Sequence, residues 1–176
     1  MSVLAKGVCV PQQRVDDICV LVLDDHRFMQ QVIRLMLGSL GIRRVIAASN
    51  VDEAMVMLAH EKVDVVIADY RLGGETGAEF MRLVRGLQGH ARFVPLIGCT
   101  ADTSPATISA MRDAGADEIL AKPVSARVIW AKLMSVTNAR RNFVSAPDFF
   151  GPDRRRRRAD AALKEDRRAG DFEVKV

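Results

Sequence analysis

Between Ile18 and Val136 the chain repeats one rhythm five times. A short apolar run is followed by a longer segment whose apolar residues recur every three or four positions. "ICVLVLDD" (18–25) precedes "RFMQQVIRLMLGSLG", and "RRVIAA" precedes "NVDEAMVMLAHEK". "VDVVIA" precedes "GAEFMRLVRGL", "FVPLIGCT" precedes "SPATISAMRDAG", and "DEILA" precedes "VSARVIWAKLMSV". Short β-branched runs read as strands, and the longer spacing reads as helix. Local signals agree. Asn50 with Glu53 three residues on is a capping-box pattern. Pro105 suits a first helical turn, and Gly41 a helix end. Strict alternation of the two types predicts βαβ units, hence a parallel sheet with helices on both faces. The strand runs are continuously apolar, as burial of both faces requires. Right-handed crossovers leave few strand orders open.

The polar residues that interrupt these runs fall at one end of them. Asp24 and Asp25 close the first strand, Asp69 the third, Thr100 the fourth and Lys122 the fifth. In a doubly wound sheet the carboxyl ends of the strands form the ligand-binding rim, so these side chains converge there. Three gathered carboxylates repel one another unless some are protonated or a cation neutralises them. Hard oxygen donors with room for water suit Mg²⁺. Lys122 adds a mobile positive charge and Thr100 a hydroxyl donor. That set suits phosphoryl transfer to a carboxylate, in which metal and ammonium balance the phosphoryl oxygens.

Composition bounds the alternatives. With 176 residues, 49% of them hydrophobic, the chain can bury a core. It contains no apolar run of the roughly 18 to 20 residues that a membrane helix needs, and its first residues lack the apolar stretch of a secretory signal. Cys9, Cys19 and Cys99 have no metal-ligand spacing, so free thiols in a reducing, cytoplasmic setting are expected. The charge is unevenly placed. Of 26 Lys+Arg and 22 Asp+Glu, 11 and 7 lie in 138–176, which leaves 15 of each in the body. The periodic pattern also stops after Thr137. The division expected is therefore an extension (1–16), one α/β domain (17–137) and a basic, largely irregular or disordered tail (138–176). The tail is too short and too polar to bury a core of its own.

The residues "LDD" (23–25), "IADYRL" (67–72), "CTA" (99–101) and "AKP" (121–123) together resemble the receiver domain of two-component response regulators, over about Asp17 to Val136. The resemblance implies a flavodoxin-like fold with five parallel strands in the order 2-1-3-4-5. It implies that Asp69 is the phosphoacceptor and that Asp24, Asp25, Asp69 and the Arg71 backbone carbonyl hold Mg²⁺. Thr100 and Lys122 would bond phosphoryl oxygens, and the Lys122–Pro123 peptide would be cis. A single-domain, chemotaxis-regulator-like receiver of this kind works as a phosphorelay switch. It catalyses only its own phosphorylation and dephosphorylation and is not a turnover enzyme. The expected donor is a histidine kinase or histidine phosphotransfer protein docked on the first helix at Phe28, Met29 and Val32. An unidentified output protein would read the 104–137 face, at Ile119 and Trp130, or the tail.

Several features bear on this expectation. Ile119 stands where the family usually carries tyrosine or phenylalanine, and it cannot make the inward swing of a ring. Arg71 and Asp102 are expected to pair across the mouth of the site. The last helix is expected to bury Val124, Val128, Ile129, Leu133 and Val136, leaving Trp130 out of phase, to be covered by a partner or by Phe149 and Phe150. The arginine block Arg154–Arg158 keeps open a second reading, a scaffold or nucleic-acid adaptor that uses the receiver as a platform. A haloacid-type phosphatase would need a second acid two residues beyond the nucleophile, where this chain has Arg71.

Overall fold

The computed structural model describes residues 17–138, 143–146 and 149–153. Five strands form the main sheet: β1 (Cys19–Leu23), β2 (Arg44–Ala48), β3 (Val65–Asp69), β6 (Leu96–Thr100) and β7 (Glu118–Ala121). Two short strands, β4 (Arg71–Leu72) and β5 (Glu75–Thr76), form a small antiparallel ladder of their own. All pairings in the main sheet are parallel and its order is β2-β1-β3-β6-β7. Counted without the small ladder, this is the expected 2-1-3-4-5.

Five helices connect the strands: α1 (Arg27–Ser39), α2 (Val51–His60), α3 (Gly77–Gly86), α4 (Pro105–Asp113) and α5 (Ala126–Asn138). None of the described helices is long and apolar enough to cross a membrane. The two faces of the sheet carry separate cores. Leu21, Leu23, Val66 and Leu96 pack with Phe80, Met81 and Val84 of α3 on one side. Val20, Val22, Ile67 and Ile97 pack with Ile33 and Leu37 of α1 and Ile129 and Leu133 of α5 on the other. Burial on both faces is why β1, β3 and β6 are apolar without alternation.

The helix caps follow local chemistry. Asn50 accepts from the Glu53 amide, but Glu53 reaches back to the Ser49 amide, so the expected capping box is only half formed. The complete box lies at α3, where Thr76 and Glu79 bond reciprocally. Ser104 caps α4 ahead of Pro105.

Two expectations need correction. Val128 is 44% exposed, so α5 buries Ile129, Leu133 and Val136 while Val128 faces outward. After α5, within the stretch expected to be largely irregular, Phe143–Ala146 (β8) and Phe149–Pro152 (β9) pair as an antiparallel hairpin. Phe150 of this hairpin does not cover Trp130, which is half-buried. It stacks with Phe143 and Phe93, whose ring centroids lie 5.3 and 5.5 Å away, and the Arg92 guanidinium sits 3.5 Å above it. The sequence pattern missed this because the aromatic partner, Phe93, lies in a short 3-10 turn (Ala91–Phe93) outside any periodic segment. Arg154–Arg158 lies outside the described residues.

Two glycines set how closely the layers approach. The Gly77 amide donates to the Tyr70 carbonyl at 2.8 Å, and a Cβ at Gly77 would overlap the Asp69 carbonyl oxygen. The start of α3 is thus pressed onto the backbone of the site. A Cβ at Gly98 would instead overlap the ends of the Met111 and Met81 side chains, which can move. Gly77→Ala is expected to cost about 2–3 kcal/mol and Gly98→Ala about 1 kcal/mol, the first displacing backbone and the second thioether. Urea denaturation of both variants checks this order.

Candidate functional site

The five polar residues predicted to converge do so at the carboxyl end of the sheet. Asp24 and Asp25 lie just past β1, Asp69 and Thr100 are the last residues of β3 and β6, and Lys122 follows β7. Asp24 is 1% exposed. Its Oδ1 accepts from the His26 amide at 2.9 Å, and its Oδ2 faces Lys122 Nζ at 3.2 Å. The same ammonium lies 3.0 Å from Asp69 Oδ1. One lysine therefore bridges two carboxylates, and its backbone precedes a cis proline peptide, Lys122–Pro123. The Lys122 amide, bonded to the Thr100 carbonyl at 2.7 Å, ties it to the end of β6.

The electrostatics of the bridge are asymmetric. Burial pushes the Asp69 carboxyl above the usual carboxylate range, and the Lys122 ammonium only partly offsets this. Burial alone would lower the Lys122 pKa, but its bonds to Asp69 and Asp24 outweigh that and hold it above the ordinary lysine value. Cys99, beside Asp69 on the neighbouring strand, is an inert thiol pushed up to about 12, mainly by burial.

Asp25 is half-buried and oriented differently. Its Oδ1 accepts from His26 Nδ1 at 2.7 Å. Its Oδ2 lies against Gly73, where an added Cβ would come within 3.4 Å, so it reaches the loop that follows Asp69. Asp24, Asp25 and His26 bring ligand-type atoms within 4.8 Å of one another. Asp69 joins this acid group through Lys122. Buried and half-buried carboxylate oxygens gathered at one rim of the sheet are the donor set that a hard divalent cation takes.

The cleft, about 210 Å³, is lined by Asp69, Arg71, Thr100, Ala101, Asp102 and Lys122. Thr100 Oγ1 accepts from the Asp102 amide at 3.0 Å and donates to the Asp102 carbonyl at 3.2 Å. The expected Arg71–Asp102 ion pair does not form among the described residues. Asp102 is held instead by Thr107 Oγ1 at 2.7 Å and the Ser104 amide at 2.9 Å. These bonds keep its carboxyl below the usual range, with a smaller contribution from the Arg71 charge. Ile119 is half-buried against the α3-side core, away from the cleft.

Sequence reasoning missed four residues around the site. His26 could have been noticed, since it directly follows the acid pair. Gln30 fastens the β1–α1 turn to β2 through the Asp24 and Ala48 carbonyls, at 2.7 and 3.1 Å. Thr107 fixes Asp102. Arg85 is buried at the opposite end of the sheet, bonded to Asp117 at 2.8 Å and to the Gly115, Arg92 and Val94 carbonyls. Burial lowers its pKa to about 10, against the pull of Asp117.

Comparison with known proteins agrees with this geometry. The family model described as the response regulator receiver domain matches residues 20–134. The chain is 32% identical over 114 residues to the sensory/regulatory protein RpfC of Xanthomonas campestris pv. campestris, covering 64% of this chain and 16% of that protein. Among solved structures it is similar to the chemotaxis response regulator CheY4 of Vibrio cholerae, at 29% identity and a TM-score of 0.62, covering 68% of this chain and 98% of that one. It is also similar to the receiver domain of sensor histidine kinase PA1611 from Pseudomonas aeruginosa, at 30% identity and a TM-score of 0.60, covering 65% and 93%. That structure has a magnesium ion coordinated in its active-site cleft.

The raised Asp69 pKa has a sign that can be checked. Above its folded-state pKa the ionised carboxylate destabilises the metal-free fold. The penalty fades as pH falls toward the ordinary value of 3.8. Asp69→Asn is therefore expected to raise the melting temperature at pH 7 in chelator-treated protein, with the gap narrowing on acidification. Thermal melts at neutral and acidic pH measure it.

Proposed function

The chain belongs to the response regulator receiver domain family of two-component systems, and from that membership we propose that it accepts a phosphoryl group on Asp69 and switches its protein contacts in response. The observation that carries this reading is the single ammonium of Lys122 shared by Asp24 and Asp69 at the mouth of the cleft. It works against the burial that raises the Asp69 pKa, and it keeps a positive charge beside the attacked group.

In the proposed step an Asp69 carboxylate oxygen attacks the phosphorus of a phosphohistidine. The P–O bond forms as the P–N bond breaks, and the electron pair leaves with the imidazole. Lys122 then follows a phosphoryl oxygen, and Thr100 exchanges its long donation to the Asp102 carbonyl for one to the phosphoryl group. Asp24, Asp25, Asp69 and the Arg71 carbonyl would hold Mg²⁺, which when bound supplies positive charge to the phosphoryl oxygens. The reverse half of the cycle is attack of water on the acyl phosphate. The domain thus acts as a signalling element and consumes no substrate beyond its own phosphoryl group.

Donor docking is assigned to α1, whose Phe28 is 77% exposed, with Met29 and Val32 half-buried beside it. An apolar ring held in solvent next to the acid pair suits a partner that must bring its histidine to Asp69. Output is assigned to the face of α4, β7 and α5, where Ile119 in place of an aromatic ring implies a readout that depends on the Thr100–Asp102 loop and α4 and not on a ring flip. Because the chain matches only 16% of the length of RpfC, the donor and output proteins are part of this proposal and not of the similarity.

Incubation with acetyl phosphate and Mg²⁺ tests the core of the reading. The wild-type chain should gain the mass of one phosphoryl group, and Asp69→Ala, checked as folded by circular dichroism, should gain none. No adduct on the wild type, or an equal adduct on the variant, would overturn it.

A further inference from the structure

The peptide that joins Asp24 to Asp25 is held from outside the acid group. Gln30 lies in the first turn of α1. Its side-chain nitrogen donates to the Asp24 carbonyl at 2.7 Å and to the Ala48 carbonyl, at the end of β2, at 3.1 Å. Ser49 Oγ adds a third oxygen at 3.2 Å. Carbonyls only accept, so the nitrogen of the amide, and not its oxygen, must face this group. The Asp24 amide donates to the same Ala48 carbonyl at 3.2 Å. The backbone between the two acids is therefore pinned to the neighbouring strand. Helix α1 does not need this bond to keep its place, since Ile33 and Leu37 anchor it in the core and the Gln30 backbone amide already bonds the His26 carbonyl at 3.1 Å.

The pin matters differently to the two acids. Asp24 is fixed on both oxygens, by the His26 amide at 2.9 Å and Lys122 at 3.2 Å. Asp25 has one hydrogen-bond partner among the described residues, the His26 ring, which is 73% exposed. Its other oxygen reaches toward Gly73, in the loop after Asp69. The direction of the backbone thus decides where the Asp25 carboxylate points. We propose that Gln30 is a positioning residue for Asp25. By locking the Asp24–Asp25 peptide to β2, it aims the Asp25 carboxylate at the rim and sets the affinity for a divalent cation there. This rests on the reading of the acid pair as Mg²⁺ ligands. The same turn of α1 carries Phe28, so the surface assigned to donor docking and the brace of the acid pair are one rigid piece.

Binding of Mn²⁺, an oxygen-seeking stand-in for Mg²⁺, tests it on the full-length chain, read from the electron paramagnetic resonance signal of the free ion. Gln30→Met keeps the reach of the side chain and removes its donors. Its Kd for Mn²⁺ should be weaker than wild type by about three- to tenfold, the range that one or two lost hydrogen bonds supply. Gln30→Ala, the residue a helix accepts most easily, should weaken binding to the same degree. Leu58→Ala controls for general softening, because Leu58 lines a cavity with Val94 and Pro95 at the opposite end of the sheet. It should lower the urea midpoint at least as far as Gln30→Met and keep the wild-type Kd. A wild-type Kd in both Gln30 variants would overturn the proposal. So would equal weakening in Leu58→Ala, the mark of a loosened fold. Failure of the wild type itself to bind Mn²⁺ would overturn the metal assignment, and this inference with it.

Discussion

Everything at the rim of the sheet depends on one ammonium group placed between two carboxylates. Lys122 bonds Asp24, which is almost fully buried, and Asp69, which is nearly so. Removing the ammonium would leave two carboxylates unpaired in a poorly solvated place, which is far costlier than losing a surface pair. The lysine is in turn held by its own backbone, through the amide bond to Thr100. Position, charge and backbone are therefore coupled across β1, β3, β6 and β7. A change in charge at Asp69 must be felt by the lysine, and through its amide by the end of the strand that carries Thr100.

The fold shows how that arrangement is reached from an ordinary core. β1, β3 and β6 are wholly buried, so their side chains have no freedom to accommodate charge along their length. Polar groups can exist only where the strands emerge. Helices α1 and α3 then start close to the acids, and the missing side chain at Gly77 lets α3 approach the Asp69 carbonyl. The site is the place where packing rules stop applying, which is why it is formed from strand ends.

What was legible in the sequence follows the same division. Helix and strand placement and the convergence of Asp24, Asp25, Asp69, Thr100 and Lys122 could be read because each depends on periodicity or on a polar residue breaking an apolar run, whereas the strand order came from the resemblance of the motifs to the receiver family. Contacts between residues distant in sequence and outside periodic segments could not. The Phe93–Phe143–Phe150 cluster joins a 3-10 turn to a hairpin about fifty residues later, and no local pattern announces it. Arg71 and Asp102 looked like an ion pair from their offsets, yet Asp102 had nearer donors in Ser104 and Thr107. Val128 was counted as core from helical phase, though α5 presents it outward.

Arg85 gives the molecule two unlike ends. At the floor of the sheet its one guanidinium ties the carbonyls of residues 92, 94 and 115 to Asp117, and Asp117 also accepts the Leu96 amide. The entrances to β6 and β7 are thereby riveted together. Their exits, at Thr100 and Lys122, meet through one backbone bond, from the Lys122 amide to the Thr100 carbonyl, and Lys122 leads on from there to Asp24 and Asp69. One end of the strand pair is thus clamped by a guanidinium buried among carbonyls, and the other is tied to a charge that the rim carboxylates share.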